Sequence, residues 1–161
     1  MPGGRLLGSG LFSQQAMDRK SYNYNRTFTL HPIGYVDRAE GDDALRGAAL
    51  REHLARIVVD PTVTDALLGL EPGSNVLVLC FFDRSARDVL QVHPMGNMES
   101  PLRGVFATRS PARPNPIAVT SARIERIEDN VVHVTGLDAL DGTPVVDIKS
   151  HAETFDTPYR G

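Results

Sequence analysis

Residues 118–136 read Ala-Val-Thr-Ser-Ala-Arg-Ile-Glu-Arg-Ile-Glu-Asp-Asn-Val-Val-His-Val-Thr-Gly. Two runs rich in β-branched residues, Ala118 to Ile127 and Val131 to Gly136, flank the polar Glu128-Asp129-Asn130. Branched side chains pack well on a pleated surface, and Asp and Asn tolerate the tight backbone of a turn, so the stretch predicts an antiparallel hairpin. In its second half Val131, His133 and Thr135 alternate with Val132, Val134 and Gly136. Successive strand side chains point to opposite faces, so one face is wetter and His133 is expected to be exposed.

The same grammar extends in both directions. Phe28 to Val36, Ala55 to Asp60, Asn75 to Phe82, Val89 to His93, Gly104 to Thr108 and Val145 to Ile148 are short runs bounded by Pro, Gly, Asp or Asn. Many short strands at this spacing predict a mainly β protein, an antiparallel barrel or sandwich. Asp43 to Leu54 predicts a helix, with an aspartate cap and Leu45, Ala48, Ala49 and Leu54 near three-to-four spacing. Thr64 to Leu70 adds one further turn, so one or two short helices are expected.

A chain of 161 residues, 41% hydrophobic and 23% charged, fits one domain with a real core. We place that domain at 28–161 and read residues 1–27, which carry little periodic pattern, as a flexible arm. The apolar stretch Leu6 to Phe12 is too short and too interrupted by glycine for a signal peptide or a membrane span, which leads us to expect a cytoplasmic protein. Cys80, the single cysteine, lies inside an apolar run and reads as a small buried hydrophobe. The histidines at 31, 53, 93, 133 and 151 have no ligand-like spacing, so no metal site is expected. Gly8-Ser9-Gly10 fails the dinucleotide fingerprint and there is no phosphate-binding P-loop, which argues against a Rossmann enzyme.

Residues 103–116, Arg-Gly-Val-Phe-Ala-Thr-Arg-Ser-Pro-Ala-Arg-Pro-Asn-Pro, hold three arginines and three prolines in fourteen positions. Proline fixes φ and removes a donor, and arginine is rarely buried without a partner, so this is a stiff loop that aims guanidinium forks. Arg103, Arg113 and Asn115 are its substrate-binding candidates. The net charge of −3 argues against attraction of nucleic acid by the whole surface, but Arg84, Arg87, Arg103, Arg109 and Arg113 cluster in sequence. Either a nucleic acid or an anionic small molecule suits such a patch. Farther on, Asp138, Asp141 and Asp147 surround a Gly142-Thr143-Pro144 turn, with Lys149 beyond. These four are the ionisable candidates for taking a proton from an acceptor, although Asp147 could equally pair with Lys149.

Gly104-Val105-Phe106-Ala107-Thr108-Arg109-Ser110-Pro111, Arg113-Pro114-Asn115-Pro116-Ile117 and the stretch 136–149, Gly-Leu-Asp-Ala-Leu-Asp-Gly-Thr-Pro-Val-Val-Asp-Ile-Lys, resemble the signature blocks of the TsaA-like (TrmO) family. His31-Pro32-Ile33-Gly34-Tyr35-Val36 is similar to its usual opening. The resemblance covers about residues 28–149. It implies a single β-barrel and a methyltransferase that uses S-adenosyl-L-methionine and methylates N6 of threonylcarbamoyl-adenosine beside the anticodon of certain tRNAs. It also implies a homodimer, with the methyl donor near the subunit interface.

By resemblance, Arg109 and Leu140, Asp141, Gly142 and Thr143 are donor-binding candidates, with Val119 near the adenine and Asp83 and Arg84 at a further donor position. Asp83 stands where the family commonly has histidine, Ala118 where it has glycine, and Ser150-His151 where it has Pro-Tyr. Those departures alter the rim of the expected site. The acceptor therefore stays open between tRNA adenosine and a small metabolite, and a non-catalytic sensor of the donor is a third reading.

Overall fold

In the computed structural model, which describes residues 23, 25–40 and 42–159, the chain runs through β1 (Gly34–Asp37), α1 (Ala48–Glu52), β2 (Ala55–Val59), β3 (Asn75–Phe81), β4 (Gln91–Val92), β5 (Arg103–Gly104), β6 (Ile117–Glu128), β7 (Val131–Thr135), β8 (Pro144–Ser150) and α2 (Glu153–Asp156). Six strands close into an antiparallel barrel in the order β1-β2-β7-β6-β3-β8, with β8 returning to β1. Closure pairs every strand on both sides and leaves no open edge. The expected hairpin is β6–β7, and Asp129 takes the left-handed conformation at its turn, φ 51°.

Alternation builds the core. Val76, Val78 and Cys80 of β3 point inward with Ile57 of β2, Ile124 of β6 and Val132 and Val134 of β7, all at most 2% exposed. On β6 the pattern slips at a bulge between Ile124 and Arg126, which returns Ile127 to the core side.

Several expectations need correction. His133 is buried, at 4% exposure, although it alternates with the core residues Val132 and Val134. Its cross-strand neighbours are Arg56 and Arg126, whose long side chains can cover an outward imidazole. Its Nε2 lies 3.0 Å from Glu128 Oε2. The helix expected over 43–54 is only the five residues of α1, behind a 3-10 turn at Asp42–Ala44. Gly47, at φ 57°, is its N-cap, so the expected aspartate is not. Gly104–Thr108 is not a strand: two residues pair as β5 with β4 outside the barrel, and Val105–Ala107 curl into a 3-10 turn. Of Phe28–Val36 only the end is strand, and Phe28 and Leu30 stand exposed before Pro32. Residues 1–22 and 24 of the expected arm lie outside the described residues.

Candidate active site at one end of the barrel

Three segments converge at one end of the barrel: residues 82–85 after β3, the Arg-Pro loop before β6, and residues 137–143 between β7 and β8. They enclose a cavity of about 290 Å³ lined by Asp83, Arg84, Arg109, Asp138, Leu140 and Thr143, with Arg46 and Leu50 from the α1 side. This lies at the lower end of the range for small-molecule sites.

Each wall has a local cause. The Arg-Pro loop is held from within by Arg113, whose Nε donates to Ser110 O at 2.8 Å and whose Nη2 donates to Val105 O at 3.0 Å and Thr108 O at 2.7 Å. Its backbone N–H donates to Ala86 O at 3.1 Å, which ties the loop to the segment after β3. Val105 is buried beneath the curl. Arg109 projects from this frame, and its Nη1 donates to Val119 O on β6 at 3.2 Å.

In the segment after β7, Leu137 and Ala139 enter the core, and Asp138, Ala139 and Leu140 line the cavity. The turn is fixed by Gly142 N–H donating to Val36 O at 2.8 Å and Val36 N–H donating to Thr143 O at 2.9 Å. Gly142 has φ 73°, and a Cβ there would lie 3.3 Å from Arg84 Nη2, so the Arg84 guanidinium sits against the bare turn. Glycine is needed for both the conformation and the close approach.

Two larger clefts adjoin the cavity. One, of about 850 Å³, is lined by Arg51, Phe106, Arg113, Val119 and Ser121, together with Arg109 and Asp138. Arg109 and Asp138 thus face both spaces. The other, of about 1330 Å³, lies along the β4–β5 ribbon and exposes Met95, Met98, Leu102 and Phe106, with Arg103 and Arg109 on its lining.

Of the residues singled out in the sequence, the fold brings Asp83, Arg84, Arg109, Asp138, Leu140 and Thr143 to one cavity, with Gly142 against Arg84. Val119 and Arg113 line the neighbouring cleft, but the Arg113 guanidinium is engaged by loop carbonyls. Asp141 Oδ1 accepts the backbone N–H of Arg38 at 2.9 Å. Asp147 and Lys149 form an ion pair of 2.6 Å on β8 and line none of the three spaces; Asn115 is exposed and also stands outside them. Sequence reasoning passed over Arg51, whose Nε donates to Gly136 O at 2.9 Å, because within an amphipathic helix it reads as an ordinary solvated residue. It also passed over Arg38, which the alternation of β1 leaves unmarked. Among the described residues no His, Cys, Asp and Glu cluster could hold a metal ion, and no helix is long and apolar enough to cross a membrane.

A family profile described as the tRNA-methyltransferase O N-terminal domain matches residues 42–157. A probable S-adenosyl-L-methionine-binding protein of Pyrococcus horikoshii is 38% identical over 135 residues, 81% of this chain and 88% of the relative. A mouse tRNA (adenine(37)-N6)-methyltransferase is 40% identical over 95 residues, 58% of this chain and 22% of the relative. The crystal structure of TrmO from Pseudomonas aeruginosa superposes with a TM-score of 0.64 at 30% identity, covering 84% of this chain. The present chain spans 61% of the length of that solved chain.

Proposed function

The chain belongs to the tRNA-methyltransferase O family, and from that membership and the barrel-end cavity we propose that it is an S-adenosyl-L-methionine-dependent methyltransferase acting on N6 of threonylcarbamoyl-adenosine beside the anticodon of tRNA. The observation that carries the reading is the convergence of Asp83, Arg84, Arg109, Asp138, Leu140 and Thr143, from three distant segments, on one small cavity. Bound there, S-adenosyl-L-methionine would supply an electrophilic methyl group on a sulfonium, together with an amino-acid carboxylate, an ammonium and ribose hydroxyls. Guanidinium forks at Arg84 and Arg109 suit the carboxylate, and the carboxylate of Asp83 suits the ammonium and hydroxyls.

Methyl transfer is an in-line displacement, so the main task of the protein is to align the nucleophile with the methyl carbon. The shared lining of cavity and cleft supports a role for Arg109 and Asp138 at the boundary between donor and acceptor. Of the four ionisable candidates, Asp138 alone faces both spaces, while Asp147 and Lys149 neutralise each other away from them. We assign Asp138 as the group that takes the proton from the acceptor nitrogen. The exposed Met95, Met98, Leu102 and Phe106 beside the cleft support a homodimer, the assembly we propose, and we propose the cytoplasm as its place of action.

The reading is tested by calorimetric titration with S-adenosyl-L-methionine and its demethylated product, followed by transfer of labelled methyl to bulk tRNA and to a metabolite extract. Saturable binding of both ligands and labelled tRNA support it. Label only in the extract moves the acceptor to a small metabolite; binding without transfer to either pool makes the chain a donor sensor. No binding by the folded protein overturns the family-based function.

A further inference from the structure

Arg38, the residue after β1, is 6% exposed, and its guanidinium is directed at main-chain carbonyls. Nε donates to Ala139 O at 3.1 Å and Nη2 to Leu137 O at 2.7 Å. Nη1 donates to Leu50 O at 3.2 Å and His53 O at 3.3 Å, across the end of α1. The backbone N–H of the same residue donates to Asp141 Oδ1 at 2.9 Å. One residue therefore holds the cavity wall at three successive odd positions, 137, 139 and 141. Asp138 and Leu140, which line the cavity together with Ala139, lie between the anchored positions.

Burying a cation is expensive, and an apolar side chain of similar volume would fill the same space at less cost. Burial pulls the Arg38 guanidinium below its ordinary pKa, against the opposing fields of Asp42, Asp138 and Asp141. An apolar replacement could not orient peptide planes, whereas a rigid fork donating to several carbonyls does so. The residue is not in the lining of the cavity and stands behind it.

We infer that Arg38 is the positioning residue of the donor-side wall: from behind, it fixes the path of residues 137–141, and through it the directions of Asp138 and Leu140 and the entry to the Gly142-Thr143 turn. The functional part of this inference rests on the methyltransferase reading above. The mechanical part stands on the geometry alone.

The test compares Arg38→Lys, which keeps the charge and loses the fork, with Val78→Ala, a truncation in the middle of β3 that faces the core. In the ligand-free protein, amide hydrogen exchange of Gly142 and Thr143 should accelerate at least about tenfold relative to the β3 amides in Arg38→Lys. In Val78→Ala no such selective change is expected. With tRNA as acceptor, the KM for S-adenosyl-L-methionine should rise at least about tenfold in Arg38→Lys, from lost ground-state binding, and kcat should fall as well because the same wall carries Asp138. Mere destabilisation lowers the active fraction and leaves KM unchanged. Unchanged relative exchange at Gly142 and Thr143, or an unchanged KM, overturns the inference. A wild-type protein without donor-dependent turnover overturns the methyltransferase reading instead, and the exchange comparison then still decides whether Arg38 positions the wall.

Discussion

Arg109 Nη1 and the carbonyl oxygen of Val119 are 3.2 Å apart, and this hydrogen bond joins the Arg-Pro loop to β6 between the small cavity and the larger cleft. One exposed guanidinium bonded to a single carbonyl retains donors for a ligand. Arg109→Ala should therefore weaken binding of the demethylated donor by about 1.5–3 kcal/mol, the range for a charge-assisted contact. Folding stability should change by no more than about 0.5 kcal/mol, as for surface replacements in general. Calorimetry and a thermal melt separate the two, and unchanged affinity would refute the assignment of Arg109 to the donor.

The barrel was legible because its strands write their burial into the alternation of residues. Val76, Val78 and Cys80 are inward and Asn75, Leu77, Leu79 and Phe81 are not, as a period of two requires. What escaped was whatever depends on a residue far away in the chain. His133 obeys the alternation and is buried nonetheless, because its surroundings are set by Arg56 on another strand and by a bulge on β6. The curl of Val105–Ala107 is stabilised by an arginine several residues later, and a β-branched start cannot announce that. Arg109, Asp138, Leu140, Gly142 and Thr143 were found in two sequence blocks that resemble the family, and Asp83 and Arg84 at a further position of the same resemblance. Arg38 and Arg51 lie outside those blocks, and their partners are carbonyl groups, which every residue possesses and no sequence pattern marks.

Arg113 carries a prediction opposite to the one its sequence context suggests. As an acceptor-facing residue it would spare the fold and the donor, but its guanidinium spans Ser110, Val105 and Thr108. Truncation leaves partly buried carbonyls short of donors, so Arg113→Ala should cost about 1–3 kcal/mol. For a chain of this size that lowers Tm by about 2–4 °C per kcal/mol. Donor affinity should fall as well, since Arg109 stands on the same loop. A variant with wild-type Tm would show that the loop holds its shape without Arg113.

Gly142 and Gly69 both have positive φ, 73° and 92°, but their surroundings differ. A Cβ at Gly142 would meet Arg84 Nη2 at 3.3 Å, whereas at Gly69 nothing lies within 4 Å. Each alanine variant should lose about 1–2 kcal/mol of stability from the left-handed backbone alone. Only Gly142→Ala also displaces Arg84, so it alone should weaken donor binding, by about tenfold or 1.4 kcal/mol. Equal donor affinity in the two variants would remove Arg84 and the Gly142 turn from the donor site.

Cys80 points into the barrel at 1% exposure, and burial pushes its thiol from 9.0 up to about 12. The thiolate is the reactive form, so the native protein at pH 8 should resist a disulfide reagent that labels the unfolded chain readily. The same shift sets a pH dependence. Below pH 9.0 the thiol is neutral in both folded and unfolded chains and favours neither. Above it the unfolded chain releases its proton first, so stability should fall progressively as pH rises from 9.0 to about 12. Cys80→Ala would leave a small cavity and lower stability at neutral pH, but it removes this titration, so its alkaline loss should be shallower than that of the wild type. Denaturant melts of both proteins at pH 8 and pH 10 measure the difference; parallel losses would mean that Cys80 does not couple to folding in this range.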